Sequence, residues 1–179
     1  MWRLTVAVVG VLALVSCASA GANRDARSHA RTTASPGTPA QAVAAALAFA
    51  AHSDPEIGVV DGYATLPLAV QRGEQPIDLA GGQVNPCVRP PTQRFTSSER
   101  AAIQAAFHGR AISFVQDPAA GLRERALGAL LLVATRPLLG RQRGTVLVLS
   151  CVPDPQQVLV TVQWTGRVWR ATATGTGKR

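Results

Sequence analysis

Catalysis and metal binding need nucleophiles, acids, bases or soft ligands, and this chain carries few of them. Its 179 residues include three cysteines (Cys17, Cys87, Cys151), three histidines (His29, His52, His108) and 10 acids. The signatures Gly-x-Ser-x-Gly and His-Glu-x-x-His and the P-loop do not occur, and no glycine-rich piece runs into Gly-Lys-Ser or Gly-Lys-Thr. Asp54, Glu56, Asp61, Glu74, Asp78, Glu99, Asp117, Glu124 and Asp154 are scattered, mostly beside Pro or Gly or at helix starts. Such groups can still meet in a fold, so the pattern disfavours an acid–base site without excluding one. A metal held by Cys87 and Cys151 would need further ligands and reduced thiols, and neither is indicated. The reading is therefore no catalytic residue, no metal and no cofactor.

Cys17 ends a different kind of stretch. After Met1-Trp2-Arg3 comes the apolar run Leu4 to Val15, too short to span a bilayer, which takes about 20 residues. A basic start and a short apolar run mark a cleaved export signal. The run closes on Leu14-Val15-Ser16-Cys17. That tetrapeptide resembles the lipobox of bacterial lipoproteins at every position, and the chain resembles small exported actinobacterial lipoproteins of uncharacterised role. The resemblance implies removal of residues 1–16, acylation of Cys17, and residence on the outer face of the cell membrane. Each buried methylene contributes about 0.8 kcal/mol, so one acyl chain holds marginally and two hold firmly. A competing cut after Ala18-Ser19-Ala20 would instead release a secreted protein.

The same resemblance accounts for the odd cysteine count. With Cys17 carrying lipid, Cys87 and Cys151 can pair in an oxidising compartment. Closing a loop across their separation of 64 residues contributes roughly 3–4 kcal/mol. The formal charge is +8, and 17 of the 18 basic residues are arginine. A GC-rich genome produces that bias together with the alanine richness. The excess still favours anionic surfaces, either phospholipid head groups or acidic wall polymers. Nucleic acid is not an expected partner outside the cytoplasm.

Residues 17–38 are rich in Ala, Ser, Thr, Arg and Gly without apolar periodicity, and read as a tether. The domain should occupy residues 39–174, with 175–179 fraying. Thr38-Pro39-Ala40-Gln41 is a capping box with proline at the first helical position, and predicts a helix to about His52. Thr96-Ser97-Ser98-Glu99 predicts a second, ending at His108-Gly109. His52 and His108 then sit where a helix dipole favours positive charge, and His29 lies solvated in the tether. Ile57–Asp61 and Tyr63–Val70 look extended, in a stretch to residue 95 broken by Gly and Pro. Ala111–Gln116 alternates as a strand. Ala126–Thr135, Thr145–Val152, Gln157–Trp164 and Arg167–Thr174 read as an antiparallel meander, the first of them also readable as a buried helix. The expected fold is α+β, with two capped helices packed on an antiparallel meander sheet of about four to six strands. This order, closing on Trp164-Thr165-Gly166-Arg167-Val168-Trp169-Arg170-Ala171-Thr172, is loosely similar to the cone-shaped domains of nuclear transport factor 2 relatives.

One connection stands out. Arg136-Pro137-Leu138-Leu139-Gly140-Arg141-Gln142-Arg143-Gly144 places three arginines and two leucines between strands. Arg136, Leu138, Leu139, Arg141 and Arg143 could contact lipid head groups or an acidic partner. The alternative is a solvated loop with its leucines tucked against the sheet. The function that fits is a membrane-anchored protein with a non-enzymatic binding or scaffolding role toward an unknown protein partner. The alternatives are an envelope hydrolase whose residues converge only in the fold, or a carrier of a small hydrophobic ligand. A polar pocket with a histidine and a carboxylate would mark the hydrolase, and a dry apolar cavity the carrier.

Overall fold

Two local hydrogen-bond exchanges set the helix starts. The Gln41 N–H donates to the Thr38 hydroxyl (3.3 Å), and the Thr38 N–H donates back to Gln41 Oε1 (3.0 Å). Glu99 N–H and the Thr96 hydroxyl make the same exchange (3.2 Å), with Thr96 N–H donating to Glu99 Oε2 at 2.7 Å. Both capping boxes satisfy N–H groups that a helix leaves without internal partners. The structure, a computed structural model of the chain, describes residues 37–52, 54–77, 85–124, 129–152 and 155–177. Residues 1–36, where the export signal and most of the tether are expected, and the last two residues lie outside these. In chain order the elements are α1 (Pro39–Ala50), β1 (Ile57–Ala64), α2 (Leu68–Gln71), α3 (Ser97–Ala106), β2 (Ile112–Val115), α4 (Pro118–Glu124), β3 (Leu130–Thr135), β4 (Leu138–Leu139), β5 (Arg143–Ser150), β6 (Gln156–Trp164) and β7 (Trp169–Gly177).

Among the described residues the strands form one seven-stranded sheet in the order β2-β1-β3-β5-β6-β7, with the short β4 beside β5. The α+β class is as expected, and β3 to β7 pair antiparallel. The expectation of a purely antiparallel meander fails at the other edge. There β1 lies between β2 and β3 and runs parallel to both. Parallel neighbours need long crossovers, and helix-bearing segments between β1, β2 and β3 supply them. Their apolar content follows: β1 and β3 are buried at every position, as strands covered on both faces must be.

On one face Val59, Leu132, Val146 and Val160 pack against Val43 and Leu47 of α1 and Ile103 of α3. On the other face Val60, Leu131, Leu147 and Leu149 pack with Val70, Ile77 and the two cysteines. Each such side chain contributes about 1.5–3 kcal/mol relative to exposure. Trp164 and Trp169 are cross-strand partners with ring centroids 5.6 Å apart, and they close the first core beside the start of α1. A Cβ on Gly37 would lie 2.8 Å from Trp169 Nε1, so only glycine lets the chain enter α1 this close to the pair.

Two further expectations are corrected. The pair of short extended pieces at 57–61 and 63–70 is one strand, β1, followed by the helical turn α2. Gly62 does not end the strand. It takes φ 151° at a register shift, and a Cβ there would strike Pro91. That close approach lets Tyr63 N–H donate to Gln93 O (3.0 Å) and pins residues 91–93 along β1. Asp117-Pro118, just past the strand expected over 111–116, begins α4, a helix the alternation did not announce, with Asp117 Oδ1 accepting from Ala119 N–H at 3.0 Å.

Candidate functional site

One end of the sheet collects most of the polar chemistry. The parallel register brings the C-terminal ends of β1 and β3 together. The antiparallel register adds the start of β5 and the β6–β7 turn. Both α1 and α3 begin there, α1 against the Trp pair and α3 through the bond from Tyr63 to Glu99.

Strand alternation places Ile57, Val59, Asp61 and Tyr63 toward the helices. Asp61 is 1% exposed, and Arg100 of α3 meets it with two bonds, Nε to Oδ1 at 2.9 Å and Nη2 to Oδ2 at 2.5 Å. The Arg100 guanidinium also lies 5.9 Å from the Phe114 ring centre. Tyr63 donates its hydroxyl to Glu99 Oε1 at 2.6 Å. Arg136 covers the Tyr63 ring at 5.4 Å and donates to Gln93 Oε1.

These contacts shift two ionisations. Burial pushes the Tyr63 phenol above its ordinary range, and the bond to Glu99 and its charge add to that. Burial also pushes the Glu99 carboxyl up, but the Tyr63 hydroxyl, the Thr96 backbone and hydroxyl and the Arg136 charge together hold it below 4.5. The signs give opposite pH limits. The Glu99 contribution to stability is complete above its ordinary value of 4.5 and is lost as pH falls through its folded value. The Tyr63 contribution is complete below its ordinary 10.0 and is lost as pH rises beyond it. Melting followed across pH should show both limbs. Glu99→Gln should flatten the acid limb and Tyr63→Phe the alkaline one, each at a cost of about 1–2 kcal/mol near neutrality. Unchanged limbs in both variants would refute the assignment.

The residues expected at a surface contact divide. Arg141 and Arg143 are exposed. Arg136 is exposed yet tied to Tyr63 and Gln93. Leu138 and Leu139 are half-buried on β4, and Leu139 packs against the helix-side core. Cys87 and Cys151 are joined as a disulfide with their Cα atoms 5.6 Å apart, both buried on the face opposite α1 and α3. Cys17 lies outside the described residues.

His52 and His108 each follow the C-cap residue of a helix in the left-handed region, at φ 44° and 50°. The His52 Nδ1–H donates to Phe49 O at 2.7 Å. Neither lines the groove of about 420 Å³ at the β2 edge, which is lined by Glu56, Phe114, Gln116 and Asp117 among others. Among the described residues no group of three or more His, Cys, Asp or Glu is placed to hold a metal ion. No helix among them is long and apolar enough to cross a membrane.

Sequence reasoning missed the Asp61–Arg100 and Tyr63–Glu99 pairs, although the strand period of 57–63 could have placed both Asp61 and Tyr63 on the covered face. No protein-family model, curated protein or solved structure matches the chain.

Proposed function

We propose that the chain is a cell-envelope lipoprotein, anchored through acylated Cys17 on the outer face of the cell membrane, whose folded part has a non-enzymatic binding or scaffolding role. The observation that carries the anchor is Leu14-Val15-Ser16-Cys17 at the close of a basic-then-apolar leader. The disulfide between Cys87 and Cys151 supports an oxidising compartment, leaving Cys17 as the thiol to be modified. Support for a non-enzymatic role comes from the ionisable side chains of the sheet end. Asp61, Glu99, Arg100 and Arg136 are spent on contacts within the fold. The alternative of an envelope hydrolase would draw on Glu56 and Asp117, which line one groove without the histidine expected beside them.

The anchor is tested by intact mass of protein extracted from membranes. The expected mass is that of residues 17–179 plus at least two acyl chains. Cys17→Ala should move the protein from the membrane fraction almost completely, because the variant carries no acyl chain and loses the roughly 0.8 kcal/mol that each buried methylene contributes. A Cys17→Ala protein that fractionates with the membrane as the parent does overturns the anchor.

A further inference from the structure

The end of the sheet where α1 begins is also strongly basic. Arg143 of β5 stands opposite Gln163 of β6, and Gln163 stands opposite Arg170 of β7. Directly opposed residues share a face, so the two arginines flank Gln163 about 10 Å apart. Trp164 N–H donates to Gln142 O at 2.8 Å, which holds the 140–142 turn against the 165–168 turn. Arg141 and Arg167 occupy those turns. All four arginines are exposed, and none makes an ion pair among the described residues. The carboxylates on the helix-covered side of this end, Asp61 and Glu99, are engaged by Arg100 and Tyr63. The two helix N-termini add partial positive charge. At the tip of the β6–β7 turn Val168 is 55% exposed, the highest value among the large apolar side chains described.

We propose that this end is the face the domain lays on an anionic phospholipid bilayer, with Arg141, Arg143, Arg167 and Arg170 on the head groups and Val168 entering between them. The inference rests on the lipid-anchor reading. Gly37, where the chain enters α1, lies beside Trp169 at this same end. Only 19 residues separate it from Cys17. That segment reaches at most about 70 Å, so the anchor confines the domain to a thin layer above the membrane and raises the effective concentration of the basic end at the surface. Surface charges act within about 10 Å at ordinary salt, which makes contact rather than distant attraction the relevant state. Each arginine removed should weaken docking about fivefold.

The test uses full-length lipidated protein in vesicles, labelled with an environment-sensitive dye at Thr165→Cys or, at the opposite end of β1, at Glu56→Cys. With about a third phosphatidylglycerol in the vesicles, nitroxide lipids should quench the Thr165→Cys label several-fold more than the Glu56→Cys label. The difference should vanish in pure phosphatidylcholine, in about 0.5 M NaCl, and in the R141S/R143S/R167S/R170S variant, whose melting should match the parent. Equal quenching at the two positions on anionic vesicles overturns the proposal. So does a domain that stays undocked on vesicles while binding an acidic wall polymer through the same arginines. Flotation with pure phosphatidylcholine reports the anchor separately. Protein that fails to float has lost the lipid, whereas protein that floats without orientation refutes the docking face alone.

Discussion

Replacing Arg100 by Met should destabilise the domain by about 3–5 kcal/mol, read as a shift in urea midpoint at constant slope. The size follows from what is left behind. Asp61 is 1% exposed in the middle of β1, and both its oxygens take their bonds from Arg100. Methionine fills much of the same volume but donates nothing, so a carboxylate would remain buried without a partner. The pair itself is a poor source of stability, since taking both charges from water costs about as much as their attraction returns. The double variant Asp61→Leu/Arg100→Met should therefore recover most of the loss, because a leucine side chain in place of the carboxylate continues the apolar face of Ile57, Val59 and Tyr63. A single variant within about 1 kcal/mol of the parent would show that the pair is not the constraint described. A double variant no better than the single would show that the site cannot accept apolar packing.

What the sequence made legible was local. Thr38 with Gln41, and Thr96 with Glu99, specify their helix starts within four residues, and both boxes form. The strands from 130 to 177 follow their neighbours through short turns, so alternation and turn residues suffice to order them. The parallel edge was hidden for the converse reason. The partners of β1 are β2 and β3, tens of residues away, and no local signal announces a parallel neighbour. Gly62 misled for a stereochemical reason: it reads as a breaker, yet it serves to let Pro91 and Gln93 close on the strand. The same non-locality hid the polar pairs. Asp61 and Arg100 are 39 residues apart, Tyr63 and Glu99 36, and each was read alone, as a turn acid or as half of a cap. The Arg136–Gly144 connection was half legible: its charge is evident in the sequence, but that Leu139 packs against the core depends on β4 pairing with β5.

The Cys87→Ser/Cys151→Ser variant should lose about 3–4 kcal/mol relative to the oxidised parent, because the crosslink closes a loop of 64 residues in the unfolded chain. The native state contributes as well. Cys151 directly follows β5, with its N–H on Leu131 O at 2.8 Å, and Cys87 N–H is held by Asn85 Oδ1 at 2.9 Å. Residues 85–93 are thus fastened at one end by the disulfide and at the other by the Tyr63–Gln93 bridge. Without the disulfide, amide exchange should quicken first near 85–90, while 91–93 and β5 keep protection closer to that of the whole domain. Matching urea midpoints with and without reductant would rule the crosslink out as a source of stability. The disulfide and the Asp61–Arg100 pair sit on opposite faces of the sheet and share no partner, so their losses should add. Their sum, about 6–9 kcal/mol, is comparable to the roughly 5–15 kcal/mol that holds a typical domain together. Arg100→Met in reductant should accordingly be largely unfolded at 25 °C, while either change alone leaves a folded protein.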